Sequence, residues 1–211
     1  MNAPAGSAAA GSAAAGSAAP IVVRLDSPEL TWGRHQIAGA EQPADITMLR
    51  ADAERGTRAV VVRFPNGWTR DAVGHQPAGE EMVIISGSLA ISGLTCGEGE
   101  MLIVEPLATR AATSTQDGTA ALVWFSGPGG GWADGEASAP GAARVVAVDA
   151  ALQRPATPAL VGTVHAREQA AGEVFEVDVD LFWPGEQTWA FVPAGVAAPQ
   201  VPGFAIVHTW S

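Results

Sequence analysis

From Pro20 onward, short apolar runs alternate with clusters of Gly, Pro, Asp and Asn, and no stretch sustains a 3.6-residue period. The runs IVVRL (21–25), DITMLR (45–50) and TRAVVVRF (57–64) are rich in β-branched residues and predict strands. EMVIIS (81–86), SLAIS (88–92), EMLIVE (100–105) and TAALVWFS (119–126) follow. The turns between them are explicit: Pro65-Asn66-Gly67, Ser86-Gly87, Gly97 to Gly99 and Gln116-Asp117-Gly118. Strands at this spacing predict an all-β sandwich or barrel with little or no helix.

The segment GPGGGWADGEASAPGAA (127–143) consists of small and turn-forming residues and reads as a loop or linker. Beyond it, ARVVAV (143–148), EVFEVDVDLFW (173–183), TWAFVP (188–193) and GFAIVHTW (203–210) predict further strands. EVDVDL alternates apolar and acidic residues, the pattern of a strand with one wet face, so Glu173, Glu176, Asp178 and Asp180 are expected on a solvated edge. A weak internal echo joins 57–75 to 187–208: each runs strand, Pro/Gly turn, strand, then His. The expected organisation is a tail over 1–19, a barrel over 20–127, a Gly-rich linker over 128–142, and a C-terminal β segment over 143–211. That last segment is either a partial second copy or an extension of the first barrel.

Residues 5–19 are three copies of Ala-Gly-Ser-Ala-Ala, which argues for a flexible tail, native or an added linker, without the basic start and apolar centre of a secretory signal. No apolar run approaches the roughly 20 residues of a membrane span. With 47% hydrophobic and 16% charged residues, most of the chain should fold. A formal charge of −11 without a basic stripe argues against nucleic-acid partners. Every cation is Arg, and Lys and Tyr are absent, which excludes a Lys Schiff base and a Tyr acid or base. The lone Cys96 cannot form an internal disulfide and fits a reducing, cytoplasmic compartment, with an inert core thiol as its plain role. Gly-x-Ser-x-Gly is missing, and GPGGGW lacks the Lys and helix of a phosphate loop.

The chemistry-bearing stretch is Gly67 to Pro106. His75 is followed after four residues by Glu80, and Glu80 after six by Gly87. This spacing resembles the first conserved motif of the cupin superfamily, in which two His, a Glu and a Gly stand in that order. His75, Glu80 and Gly87 match the second His, the Glu and the Gly; Val73 stands at the first His. In the second motif Gly99 and Pro106 match with one extra residue between them, whereas Ala108, Ala111 and Thr115 replace its Gly, His and Asn. The wording HQPAGEEMVIISGSL resembles the ChrR-like branch of the family. The likeness covers roughly 57–127.

The resemblance implies a cupin-type double-stranded β-helix (a jelly-roll barrel) with additional C-terminal strands. It also implies a divalent metal, Fe, Mn, Zn or Ni, held by His75 and Glu80. Two ligands bind weakly, so a third would have to come from His35, His165, His208 or Asp71. Otherwise the barrel is degenerate, and His75 and Glu80 hydrogen-bond each other near its mouth. Without metal, His75 as base oriented by Glu80 is the one acid–base pair the motif supplies. Arg110, placed after Pro106 where relatives point into the barrel, would grip a carboxylate ligand if it is not on the surface. Glu81 joins His75 and Glu80 as a candidate ligand-binding group. Two functions compete: a small-molecule binding or regulatory module that has lost its metal, and a metal-dependent dioxygenase, isomerase or lyase. The resemblance further implies a homodimer. Trp189, Phe191, Phe204, Ile206 and Trp210 sharpen that expectation, because they must be buried either against the same chain's barrel or across a two-fold interface.

Overall fold

The structure, a computed structural model, describes residues 19–210; most of the Ala-Gly-Ser tail expected over 1–19 lies outside the described residues. The first half of the chain forms β1 (Ile21–Arg24), β2 (Gly33–His35), β3 (Ala44–Asp52), β4 (Thr57–Arg63), β5 (Thr69–Arg70), β6 (Gly74–His75), β7 (Gly79–Ser86), β8 (Ser88–Ile91) and β9 (Leu94–Gly97). It continues through β10 (Glu100–Val104), β11 (Thr113–Thr115), β12 (Ala120–Ser126) and β13 (Ala133–Asp134). The remainder gives β14 (Ala143–Ala147), β15 (Gln153–Arg154), β16 (Val164–Arg167), β17 (Val179–Trp183), β18 (Thr188–Val192) and β19 (Ala205–Thr209). One 3₁₀ turn, Pro184–Glu186, is the sole helical element among the described residues.

Three antiparallel sheets stack in layers. The central one has seven strands in the order β14-β10-β7-β12-β4-β3-β2. A four-stranded sheet, β5-β11-β8-β9, faces it on one side and closes the barrel. A six-stranded sheet, β1-β18-β17-β19-β16-β15, covers its other side. The alternation of side chains along a strand sends odd and even positions of the central sheet to different layers. Val60, Val62, Met82, Ile84, Leu102, Val104 and Val123 pack toward the four-stranded sheet, with Leu89, Ile91 and Cys96. Ala59, Val61, Val83, Met101, Ile103, Leu122 and Trp124 pack against Val164, Phe182, Trp189, Ile206 and Trp210 of the six-stranded sheet. Each large side chain so buried contributes roughly 1.5–3 kcal/mol, and this double use explains why the central strands read as continuous apolar runs.

The first strand and the first strand after the Gly-rich segment cross between the sheets. β1 pairs with β18, so Ile21–Arg24 edges the C-terminal sheet, whereas β14 pairs with β10 and extends the central one. The Ser86-Gly87 turn is as expected: Gly87 has φ +71°, and a Cβ there would lie 2.6 Å from Thr119 Oγ1 and 3.0 Å from Thr119 Cα. Trp189, Ile206 and Trp210 are buried against the central sheet of the same chain.

The expected wet face of EVDVDL holds only ahead of the strand, where Glu176 is exposed and Glu173 and Asp178 are partly so, and fails at Asp180. The strand begins at Val179, both its faces are covered, and Asp180 is fully buried. Val179, Leu181 and Trp183 pack outward against Phe175, Ala190 and Val207, under the loops of the C-terminal segment. Asp180 points inward, and its Oδ2 accepts a hydrogen bond from Trp124 Nε1 on the central sheet at 3.0 Å. An acidic alternation therefore marks a strand face here, but that face meets a second sheet rather than water. Among the described residues, no helix is long and apolar enough to cross a membrane.

Candidate functional site

Between the central and four-stranded sheets lies a cavity of about 310 Å³, at the small end of the roughly 300–1,000 Å³ range of ligand pockets. Its walls are the even positions of β4 and β7 and the odd positions of β12, so Val60, Val62, Met82 and Val123 supply the apolar surface. The same alternation places Arg58, two residues before Val60, and Glu80, two residues before Met82, at one end of the cavity wall. Arg70, on β5, and Gln76 join them.

Glu80 is the only acidic residue of that wall. Its Oε1 accepts hydrogen bonds from Gln76 Nε2 and, at 3.3 Å, from Arg110 Nη2. Arg110 is wholly buried behind it and also donates to the carbonyls of Ala108 (3.0 Å) and Ala78 (3.4 Å). Arg58 lies 3.9 Å above the Phe125 ring and donates through Nη1 to the Gly127 carbonyl at 3.2 Å. Arg70 is 7% exposed; its Nη2 donates to Thr113 Oγ1 at 3.2 Å and its guanidinium lies 4.9 Å from the Trp132 ring centre. Burial lowers the pKa of both Arg58 and Arg70, with Glu80 pulling the other way. Three guanidinium groups thus surround one carboxylate.

The Gly-rich segment forms part of this site. Gly130 and Trp132 line the cavity, and β13 pairs with β6 so that Ala133 sits opposite His75 and Asp134 opposite Gly74. Trp132 packs closely against Gly74, where a Cβ would fall 2.2 Å from the indole, and its Nε1 donates to Asp134 Oδ1 at 2.9 Å. Residues 127–134 are a strap across the barrel mouth.

The residues named from the motif do not converge. His75 is absent from the cavity wall; its Nδ1 donates to the Gly135 carbonyl at 3.0 Å, which ties down the strap. The His75–Glu80 hydrogen bond expected for a degenerate barrel is not formed, because the strap occupies His75, while Arg110 and Gln76 occupy Glu80. Val73 is exposed, so the first-His position also faces outward. Arg110 is not on the surface: it is wholly buried, with Nη2 on Glu80 and Nε without a hydrogen-bond partner among the described residues. His35 and Asp71 are exposed, and His165 lies in the C-terminal sheet, where burial, then Arg167, lower its pKa. Among the described residues, no group of three or more His, Cys, Asp or Glu side chains is placed to hold a metal ion. A single carboxylate already bonded to Arg110, beside two further cations, does not fit a divalent metal. The cavity residues Arg58, Arg70 and Trp132 were missed; the available signal was an Arg in register with Val60 and Val62 on an otherwise apolar strand.

Glu81 faces the other way. It is 1% exposed between the central and C-terminal sheets. Arg154 Nε and Nη2 donate to its two oxygens at 2.6 Å each, and His208 Nε2 donates to Oε2 at 2.9 Å. Burial pushes the Glu81 carboxyl up, but His208 and Arg154 hold it below the usual range. His208 also donates through Nδ1 to the Thr209 carbonyl (3.0 Å) and stacks on Trp210 with ring centres 4.0 Å apart. Nearby, burial raises Asp180 to about 6 against the pull of His208 and Arg50. This cluster is a dry polar pin between sheets, so Glu81 and His208 are bound to each other rather than offered to a ligand. Cys96 matches its expected role: it is buried, and burial, reinforced by Glu100, pushes the thiol up to about 12.

Comparison with solved structures shows the same architecture at low sequence identity. A candidate dioxygenase from Nostoc punctiforme superposes with a TM-score of 0.65 at 10% identity, covering 90% of this chain and 82% of that one. The Ylba protein of E. coli, of the DUF861 family, gives 0.60 at 14% identity and covers 90% of each chain. A candidate glyoxylate-induced protein from Pseudomonas aeruginosa gives 0.52 at 9% identity, covering 82% of this chain and 81% of that one. These likenesses show the fold, a cupin-type jelly roll. No curated protein matches the sequence. The family model described as a domain of unknown function (DUF4437) matches residues 7–125, more than half of the 211 residues, and the chain belongs to that family.

Proposed function

We propose that this protein is a small-molecule-binding cupin barrel that works without a bound metal, as a binding or regulatory module. The observation that supports this most is the charge at the cavity: Arg58 and Arg70 line it with the lone carboxylate of Glu80, and Arg110 backs that carboxylate. A metal-dependent enzyme needs three or four oxygen or nitrogen ligands converging on one point. Here the motif's His75 serves the strap and the second motif's His position is Ala111. The cations that replace them would repel a divalent metal. The apolar walls and the strap over the mouth suit a small organic ligand enclosed away from water. The wording HQPAGEEMVIISGSL supports a place near the ChrR-like cupins within this reading.

The test is a calorimetric titration of the purified protein with Fe(II), Mn(II), Zn(II) and Ni(II), checked by elemental analysis. The expected result is no stoichiometric uptake. One equivalent of any of these metals, lost in Glu80→Gln, would overturn the proposal.

A further inference from the structure

Resting on that metal-free reading, we infer that the ligand is a small organic carboxylate, with Arg70 and Arg58 gripping the anionic group and the apolar cavity wall holding the remainder. Three independent observations lead there. First, the charge is concentrated: three of the chain's eleven cations meet around one cavity in a protein whose formal charge is −11. Cations placed together in a low-dielectric cleft repel each other, and the arrangement is relieved when an anion enters.

Second, the two guanidinium groups are undersatisfied. Arg110 is the one neutralised by Glu80, whereas neither Arg70 nor Arg58 has a carboxylate within ion-pair distance among the described residues. Arg70 Nε is buried without a hydrogen-bond partner, and Arg58 makes a single hydrogen bond, to the Gly127 carbonyl. A buried donor left unpaired is costly, and an acceptor arriving in the cavity would remove that cost. Both groups are also held in place by aromatic faces, Arg58 by Phe125 and Arg70 by Trp132. A guanidinium stacked in this way keeps its edge free to bond a carboxylate in its plane.

Third, most of the rest of the wall is apolar, with Gln36, Gln76, Glu80 and Thr113 as its other polar members. Val60, Val62, Met82, Leu102 and Val123 line the same space. A bare inorganic anion would leave that surface unfilled, so the ligand needs an apolar body as well as a charge. Neither arginine is a position of the cupin motifs, which is why the charge pattern escapes a motif reading.

The experiment titrates full-length protein with benzoate, phenylacetate and 4-methylpentanoate, with benzamide as the neutral counterpart and phenyl phosphate as the alternative anion. Binding is expected for at least one carboxylate, with benzamide at least tenfold weaker than benzoate. Arg70→Gln and Arg58→Gln should each weaken the carboxylate at least tenfold; Arg58 is only half-buried, so its variant keeps the test alive if Arg70→Gln fails to fold. Absence of binding by all three carboxylates, equal binding of benzoate and benzamide, or wild-type affinity in both variants would overturn the inference. Phenyl phosphate binding tenfold tighter than benzoate would also overturn it in favour of a phosphoester. A metal-free protein that prefers benzamide defeats this inference alone, whereas stoichiometric metal uptake defeats the reading beneath it.

Discussion

Glu80 and Glu81 are neighbours in sequence and on opposite faces of one strand, and they have entirely different surroundings. Glu80 faces a cavity with room for a ligand and shares one oxygen with Gln76 and Arg110. Glu81 is sealed between two sheets, with both oxygens taken by Arg154 and His208. The first site has an open cavity beside it; the second is closed, although Trp210 Nε1 next to His208 is left without a partner among the described residues. A one-residue step along a β-strand, which exchanges the two faces of a sheet, is all that separates the cavity-facing carboxylate from the one sealed between sheets. Of the motif's ligand positions only His75 and Glu80 keep a ligating side chain, and the first donates to the Gly135 carbonyl while the second accepts from Arg110.

The largest expected effect tests the sealed side. Glu81→Ala leaves Arg154 and His208 buried without their carboxylate, and removing one member of such a group costs on the order of 3–5 kcal/mol. Urea unfolding should show that loss, or no folded protein at all. Glu80→Gln, which keeps an acceptor for Arg110 in a partly wet site, should cost about 1 kcal/mol. If the two substitutions cost the same, the contrast between the faces is wrong.

A second prediction concerns pH. Asp180 is raised to about 6 in the folded protein from an ordinary value of 3.8, so between those values the folded state holds more protons than the unfolded one. Its contribution to stability therefore falls as pH rises from about 4 to about 6 and stays low above that. Asp180→Asn should stabilise the protein at pH 7–8, with the gain gone by pH 4. Glu81 has the opposite sign: its pKa is lowered, so its contribution is present above the ordinary Glu range and is lost as pH falls through its folded value. Thermal melts of wild type and Asp180→Asn from pH 4 to 8 would check both trends. A variant advantage that grows toward pH 4 would contradict the assignment.

How much of this was legible in the sequence depended on what each residue faced. The hairpin of β7 and β8, with Gly87 at its turn, was readable because turn chemistry and β-branched runs are local signals. Glu80 was found by motif spacing. Arg58 was not, because one arginine inside TRAVVVRF reads as the polar end of a strand until its partners across the barrel are known. Trp132 was hidden for a different reason: GPGGGW has the composition of a linker, and its role comes from packing against Gly74, 58 positions away in sequence. Asp180 was misread since alternation identifies a face but not what covers it. Predicting that cover requires knowing that β17 lies between β18 and β19 over the central sheet.

Smaller effects sharpen the cavity side. Gly74→Ala would put a methyl group 2.2 Å from the Trp132 indole and 2.6 Å from the Ala133 carbonyl, so the strap must shift. Carboxylate affinity should drop several-fold while the Glu81 cluster, and hence most of the stability, is unaffected; unchanged affinity would show that the strap does not enclose the ligand. His75→Ala removes a single hydrogen bond to the Gly135 carbonyl and should cost about 1 kcal/mol or less, with no change in metal content. A larger loss, or loss of a bound metal, would restore His75 to the site.

The most direct measurement is the affinity of Glu80→Gln for benzoate relative to wild type, by calorimetry at pH 7. In a cationic anion-binding cavity Glu80 is the one opposing charge, so its neutralisation should tighten benzoate. In a metal centre Glu80 is an essential ligand, and its loss should weaken or abolish binding. Tighter binding by the variant is the expected result, and weaker or absent binding would contradict the central claim.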